Sequence, residues 1–484
     1  MTANAHEAQE STTRFRADLN RTDFTLLVIG AVVGADVYVV AAMGASFLGP
    51  AQLIAWVAAG VLAAVIALAF VQCAAIDSDV GGSYAYARTA LGPLLGFVAG
   101  WSLYVGEWVA LPVFPLAFVN YLNRLLPSDL PAAGSFAVKV ALVGTVTAVN
   151  LVGVRRGARL NDVLTVGKLV PLALLIVAAL AFAVVRHGEA GGHLRPFTPL
   201  GWSGFGGAVV PIFWAYAGFE LAVLPAAEVT DPRRTLPQGL VLGMAVATLF
   251  YLLTAFAVAV ALPWEAAAAS TSPLAGAMRA ILDGLGGGGG TGVVLMSAGA
   301  LVSIAGVYEA FTLGVSRLSY ALAADGLFPS GFSRLHPQYG TPYVGLAFQA
   351  AFALVGSTLF DLRGLITIAV FFLGISYVLT AVAALRLIGQ HPESALRLPG
   401  LKLGLAMAAL SGAYLVSQTG MRRIAIGTGI MVLGLALYAV RRAHWRRVAA
   451  ALRTGERRVE QWAWHEPRWL LRSVRRLAGG GRGR

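Results

Sequence analysis

The sequence predicts an all-α integral membrane protein with twelve transmembrane helices. Of its 484 residues, 58% are hydrophobic and only 12% are charged, whereas a soluble domain carries about 25% charged residues. The hydrophobic residues form long runs, such as those over 26–40, 51–71 and 163–185, with no sustained polar face. A helix needs about 20 apolar residues to cross the hydrocarbon of a bilayer. A soluble protein would need charged surface helices between such runs, and the sequence lacks them.

Arginine-rich loops alternate with loops that carry fewer basic residues, which predicts that both termini are cytoplasmic. Arg21 precedes the first predicted span, Arg155 follows the fourth, Arg233 the sixth and Arg397 the tenth. Cytoplasmic loops are enriched in arginine and lysine, so these flanks are expected to lie together on the cytoplasmic side. The membrane is expected to be a bacterial inner membrane. The predicted spans are 24–48, 51–73, 92–122, 134–153, 162–185, 205–227, 238–262, 292–320, 342–359, 363–388, 401–418 and 422–441.

The chain divides into four predicted regions. A disordered cytoplasmic leader covers 1–22, a helical core covers 23–390, two peripheral transmembrane helices cover 399–441 and a basic cytoplasmic tail covers 442–484. The core is expected to contain two halves, about 23–186 and 204–390. Thirteen arginines stand from Arg441 onward. Because this segment directly follows a spanning helix, we expect it to lie on anionic membrane lipid rather than to bind nucleic acid.

Two predicted spans carry glycines and carboxylates near the middle of the bilayer. The first contains Gly30, Gly34 and Asp36, and the sixth contains Gly218 and Glu220. The two spans lie five helices apart, and paired glycine-interrupted helices at matching positions are typical of solute sites in membrane transporters. Unwound backbone leaves N–H and C=O groups free to bind a solute. The alternative is that the glycines of the first span only allow close helix packing.

Short motifs follow one another along the chain in a recognisable order. They are Gly34-Ala35, Gly81-Gly82-Ser83-Tyr84, Gly100-Trp101, Glu107, the run 161–168, Phe219-Glu220, Ala227-Glu228, Asp231-Pro232-Arg233-Arg234, Pro237, Ser316-Arg317, the run 324–329 and Gly340-Thr341-Pro342. With these motifs the chain resembles the amino acid–polyamine–organocation (APC) superfamily of permeases, from about Arg21 to Leu387. The resemblance weakens in the last two helices.

The resemblance implies a leucine-transporter-type 5+5 inverted repeat with broken helices 1 and 6. It also implies alternating access and a central site between those two helices. The expected substrate-binding residues lie at the two breaks and on the third span, and Trp214 and Tyr216 are candidate gates that can hold a cation by cation–π contact. The full set is Gly34, Ala35, Asp36, Tyr38, Glu107, Trp214, Tyr216 and Gly218.

Asp36 departs from the family pattern, which usually has a third small residue at this position. A carboxylate there would repel the carboxylate of an amino acid and attract an ammonium group, a polyamine or a cation such as K⁺. Three roles stay open for this side chain: direct contact with an amine or cation, a pair with Lys168 that leaves the site neutral, or a cap on the second half-helix.

Other charged residues inside the predicted spans also need an account, because a charge at the bilayer centre is costly. In proton-coupled members of the resembled family a lysine at the position of Lys168 packs against the broken first helix in place of a sodium ion. The resemblance therefore assigns Lys168 to proton coupling; the alternative is a lysine that reaches the cytoplasmic surface. Glu107 can face the cavity or bond to neighbouring helices, and Glu220 is expected mainly to brace the sixth helix.

The sequence does not indicate an enzyme, a cofactor or a metal site. It has no nucleophile motif or phosphate-binding loop in a suitable context, and Cys73 is its only cysteine. The expected function is proton-coupled secondary transport of amino acids or related amines across the inner membrane. A potassium or other cation transporter on the same fold and a membrane sensor that transports nothing are the two alternatives.

Overall fold

The computed structural model describes residues 20–76, 82–152, 157–222, 229–396 and 398–453. The side chains of 157–168, 221–222, 232–233 and 443–453 are outside that description. Of the predicted leader over 1–22 only 20–22 are described, and of the basic tail over 442–484 only Arg442 and the backbone of 443–453 are described, so both stay predictions.

The regular elements of the described part of the chain are helices. Up to the middle of the chain they are α1 (Arg21–Val32), α2 (Asp36–Leu48), α3 (Gln52–Ile76), α4 (Gly82–Leu91), α5 (Pro93–Ala110), α6 (Val113–Asn123), α7 (Ala132–Val152), α8 (Gly157–Val185) and α9 (His187–His193). They continue as α10 (Phe205–Trp214), α11 (Phe219–Ala222), α12 (Pro232–Ala261), α13 (Trp264–Ala269), α14 (Pro273–Leu285), α15 (Gly289–Ala324), α16 (Tyr343–Leu359), α17 (Leu362–Gln390), α18 (Leu401–Ser417) and α19 (Met421–Arg453).

Many of these helices are suited to a membrane. Within the described ranges, seven helical segments are long and apolar enough to cross a bilayer, or eight if α8 and α9, which meet at a bend of 109°, form one span. Three shorter apolar helices, α10, α16 and α18, add to them. The predicted all-helical, multi-pass architecture is therefore confirmed, whereas the count of twelve spans stays a prediction.

Both glycine-containing spans are interrupted in the structure. α1 begins behind Asn20, whose side chain accepts hydrogen bonds from the Thr22 and Asp23 amides, and it ends at Val32. The chain then passes through 33–35 in non-helical conformation before α2 begins. In the second interruption, 215–217 close tight turns with hydrogen bonds to the third residue back, and Gly218 takes a φ of +117°. Only glycine adopts this conformation readily.

The half-helices on either side of the interruptions are packed in the interior. α1 packs on α12, α2 packs on α10 and α13, and α3 lies against α10, α12, α17 and α18. The largest buried side chains, such as Trp56 and Phe70, fill the space between them. Large aliphatic side chains such as Val184 (77% exposed) and Leu410 (69% exposed) cover the outside. An apolar surface of this kind suits contact with lipid rather than with water.

The last helices attach to the core through two facing glycines. A Cβ atom at Gly412 of α18 would lie 2.8 Å from the carbonyl oxygen of Gly374 of α17 and 3.1 Å from the amide nitrogen of Val378. A Cβ atom at Gly374 would in turn lie 2.9 Å from the Gly412 carbonyl oxygen. The two backbones therefore touch, as in the small-residue contacts that join membrane helices.

We expect Gly412→Ala to lower the stability of the purified protein by about 1–3 kcal/mol, because the added methyl forces α18 away from α17. The melting temperature in detergent, followed by tryptophan fluorescence, measures the effect. Gly429→Ala is the matched control, since a Cβ at Gly429 of α19 meets nothing within 4 Å and alanine favours a helix by about 1 kcal/mol. Equal melting temperatures for the two variants would contradict the prediction.

Candidate functional site

A single hydroxyl connects the two interrupted helices. The phenol of Tyr251, on α12, accepts a hydrogen bond from the Gly34 amide at 3.3 Å. Its oxygen also lies 2.6 Å from the carbonyl oxygen of Val32 and 2.9 Å from that of Ala215. Tyr251 is fully buried, so its hydroxyl satisfies backbone groups of both interruptions in a place that water does not reach.

The interruptions also touch each other through the backbone. A Cβ atom at Gly218 would lie 2.5 Å from the carbonyl oxygen of Ala31, at the end of α1. Glycine is therefore required at this position both by its φ and by the approach of the first helix. The atom nearest to a Cβ at Gly34 would be in the side chain of Val307, at 3.0 Å, and the nearest backbone atom outside the neighbouring residues would be the Val32 carbonyl oxygen at 3.7 Å. The backbone approach is therefore closer at the second interruption than at the first.

Glu220 stabilises the second interruption from within. One of its carboxylate oxygens accepts a hydrogen bond from the Gly218 amide at 2.9 Å. The other accepts the hydroxyl of Tyr377, on α17, at 3.1 Å. Its carboxyl group lies beside that of Glu107, close enough for the two groups to interact. Two adjacent carboxyl groups can form a hydrogen bond only if a proton lies between them, so this pair is a candidate site for a proton.

Asp36 adds a third buried carboxyl group to the region. It is the first residue of α2, one position after the N-cap residue Ala35, where the positive end of the helix stabilises a carboxylate. Asp36, Glu107 and Glu220 are all at most 5% exposed. Asp36 interacts electrostatically with Glu107 and with Tyr251. The centre of the molecule is therefore acidic.

Aromatic rings surround these carboxyl groups. The Tyr216 hydroxyl donates to the carbonyl oxygen of Trp56 at 2.9 Å, and the Tyr216 ring meets Tyr251 edge to face at 5.2 Å. Tyr38 packs against Tyr121 at 5.7 Å in the same manner. Trp214 lies 6.0 Å from the ring of Phe114, on α6. The structure thus packs the predicted gate residues Trp214 and Tyr216 into the interior beside the interruptions.

Several buried polar groups in this region make no hydrogen bond to the described residues. They include the hydroxyl of Tyr38 and the indole N–H of Trp214, and both of these side chains are at most 1% exposed. Buried polar groups almost always have a partner. These two groups can therefore donate hydrogen bonds to a solute without first breaking an internal one.

The structure brings most of the predicted site residues into one region. Gly34, Ala35, Asp36 and Tyr38 belong to the first interruption, and Trp214, Tyr216 and Gly218 to the second; Glu107 joins them through Glu220. The backbone of α8 passes through Lys168, but its side chain lies outside the described residues. The proposed pair between Lys168 and Asp36 is therefore not tested.

Sequence reasoning missed three polar residues that the structure makes important. Tyr251 and Tyr377 stand in apolar runs, where a tyrosine is an ordinary packing residue.

The third residue, Lys139, is a charge inside a predicted span, which is unusual enough to require a partner. Its ammonium group donates to the carbonyl oxygen of Ser357 at 2.5 Å, in the last turn of α16, where carbonyl groups lack helical partners. Lys139 therefore has a structural role away from the central region.

Tyr251→Phe keeps the ring and removes the hydroxyl that joins the interruptions. We expect it to destabilise the protein by about 1–3 kcal/mol, because the Gly34 amide and two carbonyls lose their buried partner. The melting temperature in detergent is the measurement. Tyr121→Phe is the control, since it removes one buried hydroxyl bonded to a single carbonyl, that of Tyr38. If Tyr251→Phe lowered the melting temperature less than Tyr121→Phe does, the Tyr251 hydroxyl would not stabilise the interruptions as predicted.

Comparison with known proteins is consistent with this arrangement. The family model "Amino acid permease" matches residues 19–441. The branched-chain amino acid permease BcaP of Bacillus subtilis is 27% identical over 445 residues, which cover 87% of this chain and 92% of the relative. The methylthioribose transporter of the same organism is 28% identical, with 80% and 84% covered.

A third relative, the serine/threonine exchanger SteT of Bacillus subtilis, is 27% identical, with 85% of this chain and 92% of the relative covered. The matched region contains both interruptions and all the carboxyl groups of the centre. These relatives are permeases and transporters, so the chain is not an enzyme. It belongs to the amino acid permease family of the APC superfamily and is a multi-pass membrane transport protein.

Proposed function

We propose that the chain is a secondary active transporter of amino acids or related amines in the inner membrane. The observation that carries the proposal is the meeting of two interrupted helices at a buried, acidic and aromatic region held by Tyr251. In this proposal the first ten of the twelve predicted spans form a 5+5 inverted repeat over about 23–186 and 204–390. The helices of 399–441 are peripheral, both termini are cytoplasmic and the tail over 442–484 lies on anionic lipid.

The site offers complementary groups to the two ends of an amino acid. The backbone between α1 and α2 can bind a carboxylate if the solute replaces the Tyr251 hydroxyl at the Gly34 amide, and Asp36 can bind an ammonium group. Tyr38 and Trp214 add hydrogen-bond donors and aromatic faces. The relatives named above transport amino acids in two cases and a thiosugar in the third. Family membership therefore leaves the substrate open, and we infer an amine from the carboxyl groups of this chain.

Burial of the site supports transport by alternating access. Every proposed binding residue is buried, and Asp36, Glu107 and the aromatic residues among them are at most 5% exposed. A solute can reach such a site only if the surrounding helices move. Because α1 touches the second interruption through Ala31 and Gly218, movement of one broken helix must disturb the other. This coupling suits a rocking motion that opens one face at a time.

Two locations for the coupled proton follow from the proposal. Lys168 has this role by resemblance, and the adjacent carboxyl groups of Glu107 and Glu220 are the second location, because a proton between them would remove their repulsion. Protonation of the pair affects the second interruption directly, because Glu220 also binds the Gly218 amide. A change in the proton at this pair can therefore alter the conformation of the binding site.

The substrate proposal is tested by thermal stabilisation of the purified protein with a panel of amino acids, polyamines and K⁺. A ligand at 100 times its Kd stabilises the native state by about 2.7 kcal/mol, a clear rise in melting temperature. We expect amino acids or amines to stabilise the protein and Asp36→Asn to remove the effect. Asp361→Asn is the matched control, because asparagine can keep the cap on α17 that Asp361 provides.

Other results of this panel discriminate between the alternatives. Stabilisation by K⁺ alone, lost in Asp36→Asn, would assign a cation transporter. Stabilisation by neutral amino acids in both proteins would make Asp36 a structural residue. Stabilisation without uptake of the same solute into proteoliposomes would assign a sensor.

The proton proposal is tested in proteoliposomes with an imposed pH gradient. We expect Glu107→Gln to abolish acceleration of uptake by the gradient, because an amide cannot release the proton shared with Glu220. Exchange of labelled for unlabelled substrate should persist. Lys168→Met tests the lysine as the proton-coupling residue in the same assay. Glu189→Gln is the control, because Glu189 is an exposed acid on α9 that pairs with Arg186. Gradient-driven uptake that survives in both Glu107→Gln and Lys168→Met would exclude both locations.

A further inference from the structure

A groove separate from the central site opens where α1 and α12 begin. It has a volume of about 860 Å³ and lies between the first residue of α1, the first turns of α12 and the segment that connects α17 to α18. Its size is within the range of pockets that hold small organic ligands. None of its lining residues belongs to the interruptions or to the carboxyl cluster described above.

One end of the groove is polar and basic. Arg21 and Arg234 line it together with Asp231, so the described charged residues that line this end sum to one positive charge. The guanidinium of Arg234 is 83% exposed, and its Nε atom is 4.0 Å from the nearest carboxylate oxygen of Asp231. Such a distant, exposed pair leaves most of the donors of the guanidinium available. Arginine is well suited to bind a phosphate through two parallel hydrogen bonds.

The other end of the groove is apolar and continues along one face of α12. Gln238, Val241, Leu242 and Ala245 all line it at intervals of three and four residues, which places them in one stripe of the helix. Val241 is 62% exposed and Leu242 is 50% exposed. From Gln238 to Ala245 the stripe is about 10 Å long, at 1.5 Å per residue. It runs inward from Arg234, the first residue of a candidate membrane span, Arg234–Ala261.

We propose that this groove binds an anionic glycerophospholipid, with its phosphate at Arg21 and Arg234 and one acyl chain along the stripe of α12. A basic end at the edge of a span and an apolar wall within it match the two parts of such a lipid, and basic pockets between membrane helices bind anionic head groups. A free anion would use only the arginines. A zwitterionic lipid would lose the net attraction, since its choline group meets the same guanidinium groups.

Lipid bound in this groove would also affect the transport cycle. This consequence, unlike lipid binding itself, rests on the proposed function. Arg21 is the first residue of α1, and the far end of α1 touches Gly218 at the second interruption. α1 also packs on α12 along its length. A lipid that bridges the start of α1 and α12 therefore links the first broken helix to its neighbour. Lipid binding itself depends only on the groove and is measured without transport.

The experiment measures lipid at the groove itself, because the basic tail can also collect anionic lipid. Cys73 is the only cysteine of the chain and is buried, so Cys73→Ser gives a cysteine-free protein. Leu242→Cys in that background takes a fluorescent label on the groove wall, and Leu410→Cys takes one on the exposed face of α18. Phosphatidylglycerol with brominated acyl chains quenches a label that it contacts, and brominated phosphatidylcholine is the comparison.

We expect phosphatidylglycerol to quench the label at 242 at concentrations about tenfold lower than phosphatidylcholine, and both lipids to quench equally at 410. Arg21→Gln with Arg234→Gln should weaken phosphatidylglycerol binding at 242 about thirtyfold, at about 1 kcal/mol for each arginine near the surface. Arg186→Gln with Arg279→Gln is the matched control, since both arginines are exposed and form similar pairs with nearby acids. This control should change nothing.

A second variant keeps the proposal falsifiable if the arginine pair is needed for folding. Ala245→Trp fills the apolar wall and should weaken binding of phosphatidylglycerol at 242 while both arginines remain. Equal quenching by the two lipids at 242, or an equal loss in the control pair, would overturn the proposal. Displacement of the lipid by inorganic phosphate alone would also overturn it, because the groove would then be a site for a free anion.

Discussion

The constraint on which the rest of the structure depends is that backbone polar groups cannot be left without partners inside a membrane. An unpaired N–H or C=O in hydrocarbon costs several kcal/mol, so an interrupted helix is stable only if other groups replace the lost helical bonds. Tyr251 supplies such a group to both interruptions. Glu220 supplies another at Gly218. The central region is therefore a set of backbone groups whose partners come from two different helices, α12 and α11.

The same constraint connects binding to movement. A solute in this region competes for, or adds to, the bonds that hold the broken helices in place. Gly218 and Ala31 approach so closely that α1 cannot shift without changing the second interruption. Packed elements of this kind change between discrete arrangements and do not deform continuously. Occupation of the site and the position of α1 are consequently linked by geometry as well as by energy.

The sequence was sufficient to predict the positions of both interruptions and the family. Glycines with a carboxylate in an apolar run, as at Gly34 and Asp36, stand out because neither suits a continuous membrane helix. It was not sufficient to predict their partners. Tyr251 is 217 residues from Gly34, and Tyr377 is 157 residues from Glu220. A tyrosine in an apolar run has no local feature that distinguishes a bridging hydroxyl from a packing ring, since only the tertiary fold brings the two segments together.

The charge at the centre bears on the substrate. With the proton location proposed above, Glu107 and Glu220 together carry at most one negative charge. Asp36 stands at the start of α2, where the helix dipole offsets part of a negative charge. A site with one partly offset carboxylate and one shared proton can accept the ammonium group of an amino acid without excluding its carboxylate. It attracts a bare cation less strongly than three ionised groups would, so the amine end of a zwitterion suits it better than K⁺ does.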